Sequence, residues 1–130
     1  MSRRRVACES SNDPVGGLAC LAHDQRRAWV VLYNLVEKYD RPTYETTVTV
    51  KLANLPRGDW KCRVTGIAPG QCDPFLQWKA LGSPEKLNKT PYAELLKASA
   101  LPPAMDVLWE DGVLHLRMPG FSALFLELQR

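Results

Sequence analysis

Tyr44-Glu45-Thr46-Thr47-Val48-Thr49-Val50-Lys51-Leu52 is the stretch that sets the fold class. Tyr44, Thr46, Val48, Val50 and Leu52 point one way, and Glu45, Thr47, Thr49 and Lys51 the other. Strict period-2 alternation means a β-strand with one face on a core and one in water. Downstream, Pro56 to Asp59 reads as a turn, and Trp60 to Ile67 as a second strand with Trp60, Cys62 and Val64 on its inner side. The two strands are expected to pair as a hairpin.

The pattern continues in both directions. Gly17 to His23 is a short apolar run, and Ala28 to Tyr33 is apolar on both faces, as in a central strand covered on both sides. The polar Asp24 to Arg27 between them suits an antiparallel hairpin. Leu35 to Pro42 reads as a charged loop. Met105 to Glu110 and Val113 to Met118 flank Asp111-Gly112, a strong hairpin signal. There Leu114, Leu116 and Met118 face inward, and His115 and Arg117 outward. Pro119-Gly120 turns the chain into a last strand, Phe121 to Leu128. The expected fold is all-β, an antiparallel β-sandwich of about seven to eight strands.

Residues 72 to 84, Cys-Asp-Pro-Phe-Leu-Gln-Trp-Lys-Ala-Leu-Gly-Ser-Pro, break the strand pattern. Phe75 to Leu81 reads as a short helix stopped by Gly82, and Thr90-Pro91 as the N-cap and first position of another. Tyr92, Leu95, Leu96 and Ser99 then recur at helical spacing. The sandwich thus carries a short helical insertion near residues 75–99.

At 130 residues the chain is one domain by length: a tail over 1–14, expected to be disordered, and a sandwich over 15–130. A TIM barrel needs roughly 200 residues or more and does not fit. The net charge of +3, from 17 basic and 14 acidic residues, matches the excess supplied by Arg3, Arg4 and Arg5. With no basic stripe interleaved with aromatics, nucleic acid is not an expected partner. No apolar run follows those arginines to complete a signal peptide, and none is long enough for a membrane span, so no membrane is expected, and a secreted protein would need a signal in sequence upstream of this one. Cys8, Cys20, Cys62 and Cys72 lack zinc-ligand spacing; reduced thiols and a cytoplasmic setting are favoured, although a Cys62–Cys72 bridge would also fit the sequence.

Nothing in the sequence assembles a catalytic site. The acidic residues are scattered over turns, loops and polar faces, without the close carboxylate pair of a glycosidase. His23-Asp24 reads as a turn with local hydrogen bonds, and His115 as a solvated strand residue, so no metal is expected. There is no G-x-S-x-G elbow and no glycine-rich phosphate loop, and no cofactor is expected. Asn88-Lys89-Thr90 matches a glycosylation acceptor, but Pro91 after it is unfavourable and Thr90 reads as a helix cap. Trp60, Trp78 and Tyr92 are candidates for a sugar-stacking platform; packing in a core or domain interface is the better reading of such large amphipathic rings.

Trp78, Gly82 and Pro84 form a W-x3-G-x-P pattern. With His23-Asp24-Gln25, the strand ending in Tyr33-Asn34, the run Val48 to Gly58, the helix Tyr92 to Ser99 and the closing strands Leu114 to Leu128, it resembles the C-terminal β-sandwich of family-39 glycoside hydrolases, the β-xylosidases and α-L-iduronidases. Cys72-Asp73-Pro74 is reminiscent of the iduronidase branch. His23 and Ser83 depart from the family pattern, which has a basic residue at the first and often Arg at the second. The resemblance implies a non-catalytic accessory domain that packs on a (β/α)8 catalytic barrel, upstream in the same chain or in a separate one. It transfers no catalytic residue: the family's acid/base glutamate lies in an Asn-Glu dipeptide of the barrel, and this chain contains no Asn-Glu. Phe75, Trp78 and Tyr92 are the expected contacts, with Trp60 a further ligand or interface candidate. The alternatives are a stand-alone carbohydrate-binding module taking an oligosaccharide and a homodimeric interaction domain.

Overall fold

The computed structural model describes residues 3–11, 14–36 and 45–130. The strands are β1 (Arg3–Val6), β2 (Val15–Ala22), β3 (Arg27–Asn34), β4 (Glu45–Lys51), β5 (Lys61–Ile67), β6 (Met105–Val107), β7 (Val113–Pro119) and β8 (Ser122–Gln129). Helices α1 (Pro74–Ala80) and α2 (Lys89–Ala98) lie between β5 and β6 in sequence. The strands form two antiparallel sheets, one of six in the order β1-β2-β3-β8-β5-β6 and one of two, β4-β7. The fold is an all-β sandwich with a helical insertion.

Alternation places the core. β3 turns Ala28, Val30, Leu32 and Asn34 inward, and β8 aligns Leu128, Leu126, Leu124 and Ser122 with them. From the small sheet Leu114, Leu116 and Met118 descend onto this floor, with Val48 and Val50 beside them. Leu114, Met118, Leu126 and Leu128 are fully buried. Removing each from water contributes about 1.5–3 kcal/mol. Outward-facing His115 and Arg117 lie on the exposed side of β7, where Arg117 Nε pairs with Glu45 Oε1.

Two expected hairpins are corrected. β4 and β5 do not pair: β4 joins β7 in the small sheet, and β5 lies between β8 and β6 in the large one. The intervening residues 52–60 carry the chain across the layers, and Trp60 Nε1 donates to the Pro56 carbonyl at 2.8 Å to hold that crossing folded. Val48 and Cys62 therefore face one core from opposite sheets, an arrangement with the same alternation as a hairpin. The Asp111-Gly112 turn does form, with Val113 N donating to Glu110 O at 2.9 Å, but only that one residue pair follows it. β6 then pairs with β5 instead of β7. The turn is an inter-sheet corner, pinned by the Trp109 Nε1 bond to the Trp60 carbonyl at 2.7 Å.

Smaller differences have local causes. The β2–β3 hairpin forms as expected, its turn closed by Gln25 N to Ala22 O at 2.9 Å. β3 is central in its sheet, but its outer face is open: Val31 and Tyr33 are exposed. Arg3–Val6 pairs with β2 where the sequence suggested an unstructured tail. Tyr44 and most of the charged loop 35–42 lie outside the described residues. In α2 the N-cap is Asn88, not Thr90, and Pro91 is the third helical residue. Its missing N–H is no loss there, because the first N–H groups of a helix have no intrahelical acceptor and the ladder begins with Tyr92 N to Asn88 O.

Candidate functional site

The helical insertion is a small lobe of its own. Asp73 caps α1, its Oδ1 accepting from the Phe75 N–H at 3.1 Å and its Oδ2 from the Gly70 N–H at 3.0 Å. Pro74 opens the helix, a position that suits its fixed φ. Gly82, at φ +84°, closes it in the left-handed conformation that glycine adopts readily. Trp78 Nε1 reaches the Pro84 carbonyl at 3.1 Å, so the Trp-Gly-Pro pattern is a local clamp folding the helix exit back on its own tryptophan. Cys72 Sγ donates to the Ser99 carbonyl at 3.0 Å and ties the start of the lobe to its end.

The lobe exposes apolar side chains. α1 and α2 pack on each other rather than on either sheet, and neither helix contains a buried residue. Phe75 stacks on Trp78 with centroids 5.9 Å apart, and the Lys79 ammonium lies over the Phe75 ring. Phe75 is 42% exposed, and Tyr92 and Leu96 are each 54% exposed. Three of the four candidates named from sequence, Phe75, Trp78 and Tyr92, thus share this lobe.

Trp60 lies apart from them. It is 7% exposed, its N–H is engaged by Pro56, and the Arg130 guanidinium lies over its ring at 6.0 Å. This side chain presents no open face for a sugar. His23 is exposed beside a turn in which Asp24 Oδ1 accepts from the Arg26 N–H, and His115 Nδ1 lies 3.2 Å from Thr49 Oγ1. Among the described residues no three of His, Cys, Asp and Glu converge as a metal site would require. All four cysteines are free thiols; burial pushes the Cys62 thiol from 9.0 up to about 11, which keeps it protonated and unreactive.

Two surfaces escaped the sequence reading. The outer face of the large sheet carries a row in register, Leu18, Val31 and Phe125, beside a second row containing Tyr33 and Ile67, all exposed. Their sequence signal is the two-faced apolar character of Ala28 to Tyr33, a pattern that a strand covered on both sides shares. The second surface is a groove along β4, formed by residues distant in sequence, and periodicity gives no sign of it.

No family model matches this sequence, and no curated protein matches it. Solved structures do. A GH39 β-xylosidase from Caulobacter crescentus superimposes at a TM-score of 0.67 and 24% identity, over 98% of this chain and 24% of that one. A monomeric β-xylosidase from Caulobacter crescentus CB15 gives 0.63 and 21%, over 92% and 26%. A family-44 xyloglucanase from Paenibacillus polymyxa gives 0.63 and 10%, over 97% and 19%. Identities this low establish a shared fold. The chain spans about a quarter of the length of the two β-xylosidases.

Proposed function

We propose that this chain is the non-catalytic β-sandwich of a larger glycoside hydrolase related to the family-39 β-xylosidases. It packs on and supports a catalytic (β/α)8 barrel, supplied upstream in the same polypeptide or by a separate chain. The observation that carries this reading is the lopsided match: 98% of this chain corresponds in fold to 24% of a GH39 β-xylosidase. The W-x3-G-x-P clamp and the order of motifs in the sequence point the same way.

The helical lobe is the contact surface of this reading. Large aromatic and aliphatic side chains on short helices with no buried residue are what an interface needs and what a free surface seldom shows. Phe75, Trp78 and Tyr92 would pack against the barrel, and the exposed rows of the large sheet offer further area.

Two measurements test the proposal. In the first, intrinsic tryptophan fluorescence is titrated with xylo-, manno- and uronic-acid oligosaccharides while hydrolysis is followed in the same tubes. Neither saturation nor turnover is expected; turnover by the purified chain overturns the proposal, and saturable binding without turnover makes the protein a carbohydrate-binding module. In the second, a photo-crosslinking residue replaces Phe75 in the cell that makes the protein. A glycoside hydrolase barrel is the expected adduct, and a second copy of this chain as the adduct replaces the accessory reading with a homodimer.

A further inference from the structure

The six-stranded sheet turns a broad face away from the core, and the rows of that face differ in chemistry. Alternation sets Arg5 of β1, Arg27 of β3, and Lys61 and Arg63 of β5 on it, on the side opposite the buried Ala28, Val30, Cys62 and Val64. In the sheet order β1, β3 and β5 are every second strand, so these cations stand about 10 Å apart across the sheet. Glu127 and Asp106 flank Arg63 in register, and no ion pair engages any of these six side chains among the described residues. Arg5, Arg27 and Lys61 therefore carry the unbalanced charge. They come from three separate strands, which is why the sequence displays no basic stripe.

Two aromatic rings stand farther along the same face. Phe125 of β8 and Tyr33 of β3 are exposed diagonal neighbours on adjacent central strands, about 7–8 Å apart. A Cβ on Gly16 would collide with the Tyr33 ring, so the ring lies over β2 and the glycine makes room for it. A ring laid along a sheet in this way turns its other side to solvent.

We infer that this face binds single-stranded nucleic acid, with bases stacked on Tyr33 and Phe125 and phosphates on Arg5, Arg27 and Lys61. Exposed rings on adjacent central strands, flanked by cations, are how antiparallel sheets hold unpaired bases. The charge is complementary to a phosphate backbone, and every base offers a π face whatever its identity. A neutral glycan makes no use of the cations, and an acidic peptide makes no use of the rings. The inference does not rest on the accessory-domain reading. The helices of the lobe pack on each other rather than on this sheet, so the lobe is a separate surface. A bound strand would compete only with a barrel contact that spreads onto the same rows.

The test uses the full chain and a fluorescein-labelled oligothymidylate of about 20 nucleotides, followed by fluorescence anisotropy. Saturable binding is expected at low salt. Raising salt from about 50 to about 200 mM should weaken it about 20-fold, the loss expected for three phosphate contacts on a single strand. Arg27→Ala combined with Lys61→Ala should weaken binding and flatten the salt slope by about two-thirds. Phe125→Ala and Tyr33→Ala should each weaken it roughly fivefold or more with the slope unchanged. If these variants unfold, Phe125→Leu and Tyr33→Leu keep the apolar bulk and carry the same expectation. Lys51→Ala, which removes a cation of the small sheet, should change nothing. No binding at low salt, parental affinity in the folded ring variants, or an equal loss in Lys51→Ala each overturns the inference. Displacement of the oligonucleotide by polyglutamate or alginate at equal charge concentration also overturns it, and makes the face a site for an acidic peptide or an acidic glycan. The Phe75 adduct reports on the accessory role and strand binding on this face, so either can fail alone.

Discussion

Asn34 Nδ2 donates to the Met118 carbonyl oxygen across 3.1 Å, joining β3 of the large sheet to β7 of the small one between residues 84 apart in sequence. Asn34 is 1% exposed, and its Oδ1 has no hydrogen-bond partner among the described residues. This bond is a polar tie at the edge of the apolar interlayer, beside Ser122, the other buried polar residue among those described. Asn34→Ala removes the donor and strands the Met118 carbonyl, so it should cost about 1–3 kcal/mol. Urea unfolding of the two proteins checks this, and an unchanged midpoint removes the bond from the account of how the sheets are held.

Core and lobe should respond differently to truncation. Leu126 is fully buried between the sheets, and Leu126→Ala should cost about 2–5 kcal/mol. Trp78 is large, and from sequence alone its loss could rank with a core deletion. Its helix has no buried residue, and its N–H bond to Pro84 is local. Trp78→Ala should therefore leave the global transition nearly in place while increasing proteolysis within residues 70–100. A global loss as large as that of Leu126→Ala would show the lobe to be part of the cooperative core.

Cys62 sets a pH dependence. Its thiol is raised from 9.0 to about 11 by desolvation, so the unfolded chain loses this proton before the folded one does. The folded state binds more protons in that interval, and stability falls as pH rises. The contribution is complete below pH 9 and lost as pH climbs through about 11, on the order of 2 kcal/mol. Cys62→Ala is the control: the difference between its stability profile and the parent's should steepen across that window. Parallel profiles would mean that Cys62 does not titrate there.

The corner at Asp111-Gly112 depends on left-handed backbone at both residues, φ +51° and +77°. A Cβ on Gly112 would stand 3.1 Å from the Leu52 carbonyl oxygen, whose own residue donates its N–H to the Gly112 carbonyl at 2.8 Å. Gly112→Ala should cost about 1–2 kcal/mol from the positive φ alone. Thermal unfolding measures this. Asp111→Gly, which relieves the other left-handed residue, should move the midpoint the opposite way or leave it unchanged.

What the sequence made legible follows from what alternation encodes. Period 2 identifies the inward face of a strand, and Leu114, Leu116, Met118, Cys62 and Val64 all face inward as their spacing requires. Turn chemistry is equally local, and it located the Asp111-Gly112 turn and the break at Gly82, whereas the cap of α2 fell two residues from the Thr90 that the Thr-Pro pair suggests. Phe75, Trp78 and Tyr92 stand together as candidates because the helical segment stands out against a strand background. Trp60 was grouped with them on residue type alone, and type does not reveal that Arg130 covers its ring and Pro56 holds its N–H.

The sequence by itself determined that this is an antiparallel β protein with a helical insertion, which residues of its strands face inward, and where the chain turns. Tertiary structure decided which strands are neighbours. A strand facing a common core has the same alternation whether its partner lies beside it in the sheet or across from it in the other layer. β4 with β7 and β5 with β8 are therefore choices made by packing over long sequence separations. The same packing left one edge of β4 without a partner among the described residues and the helical lobe uncovered, and no local pattern records either.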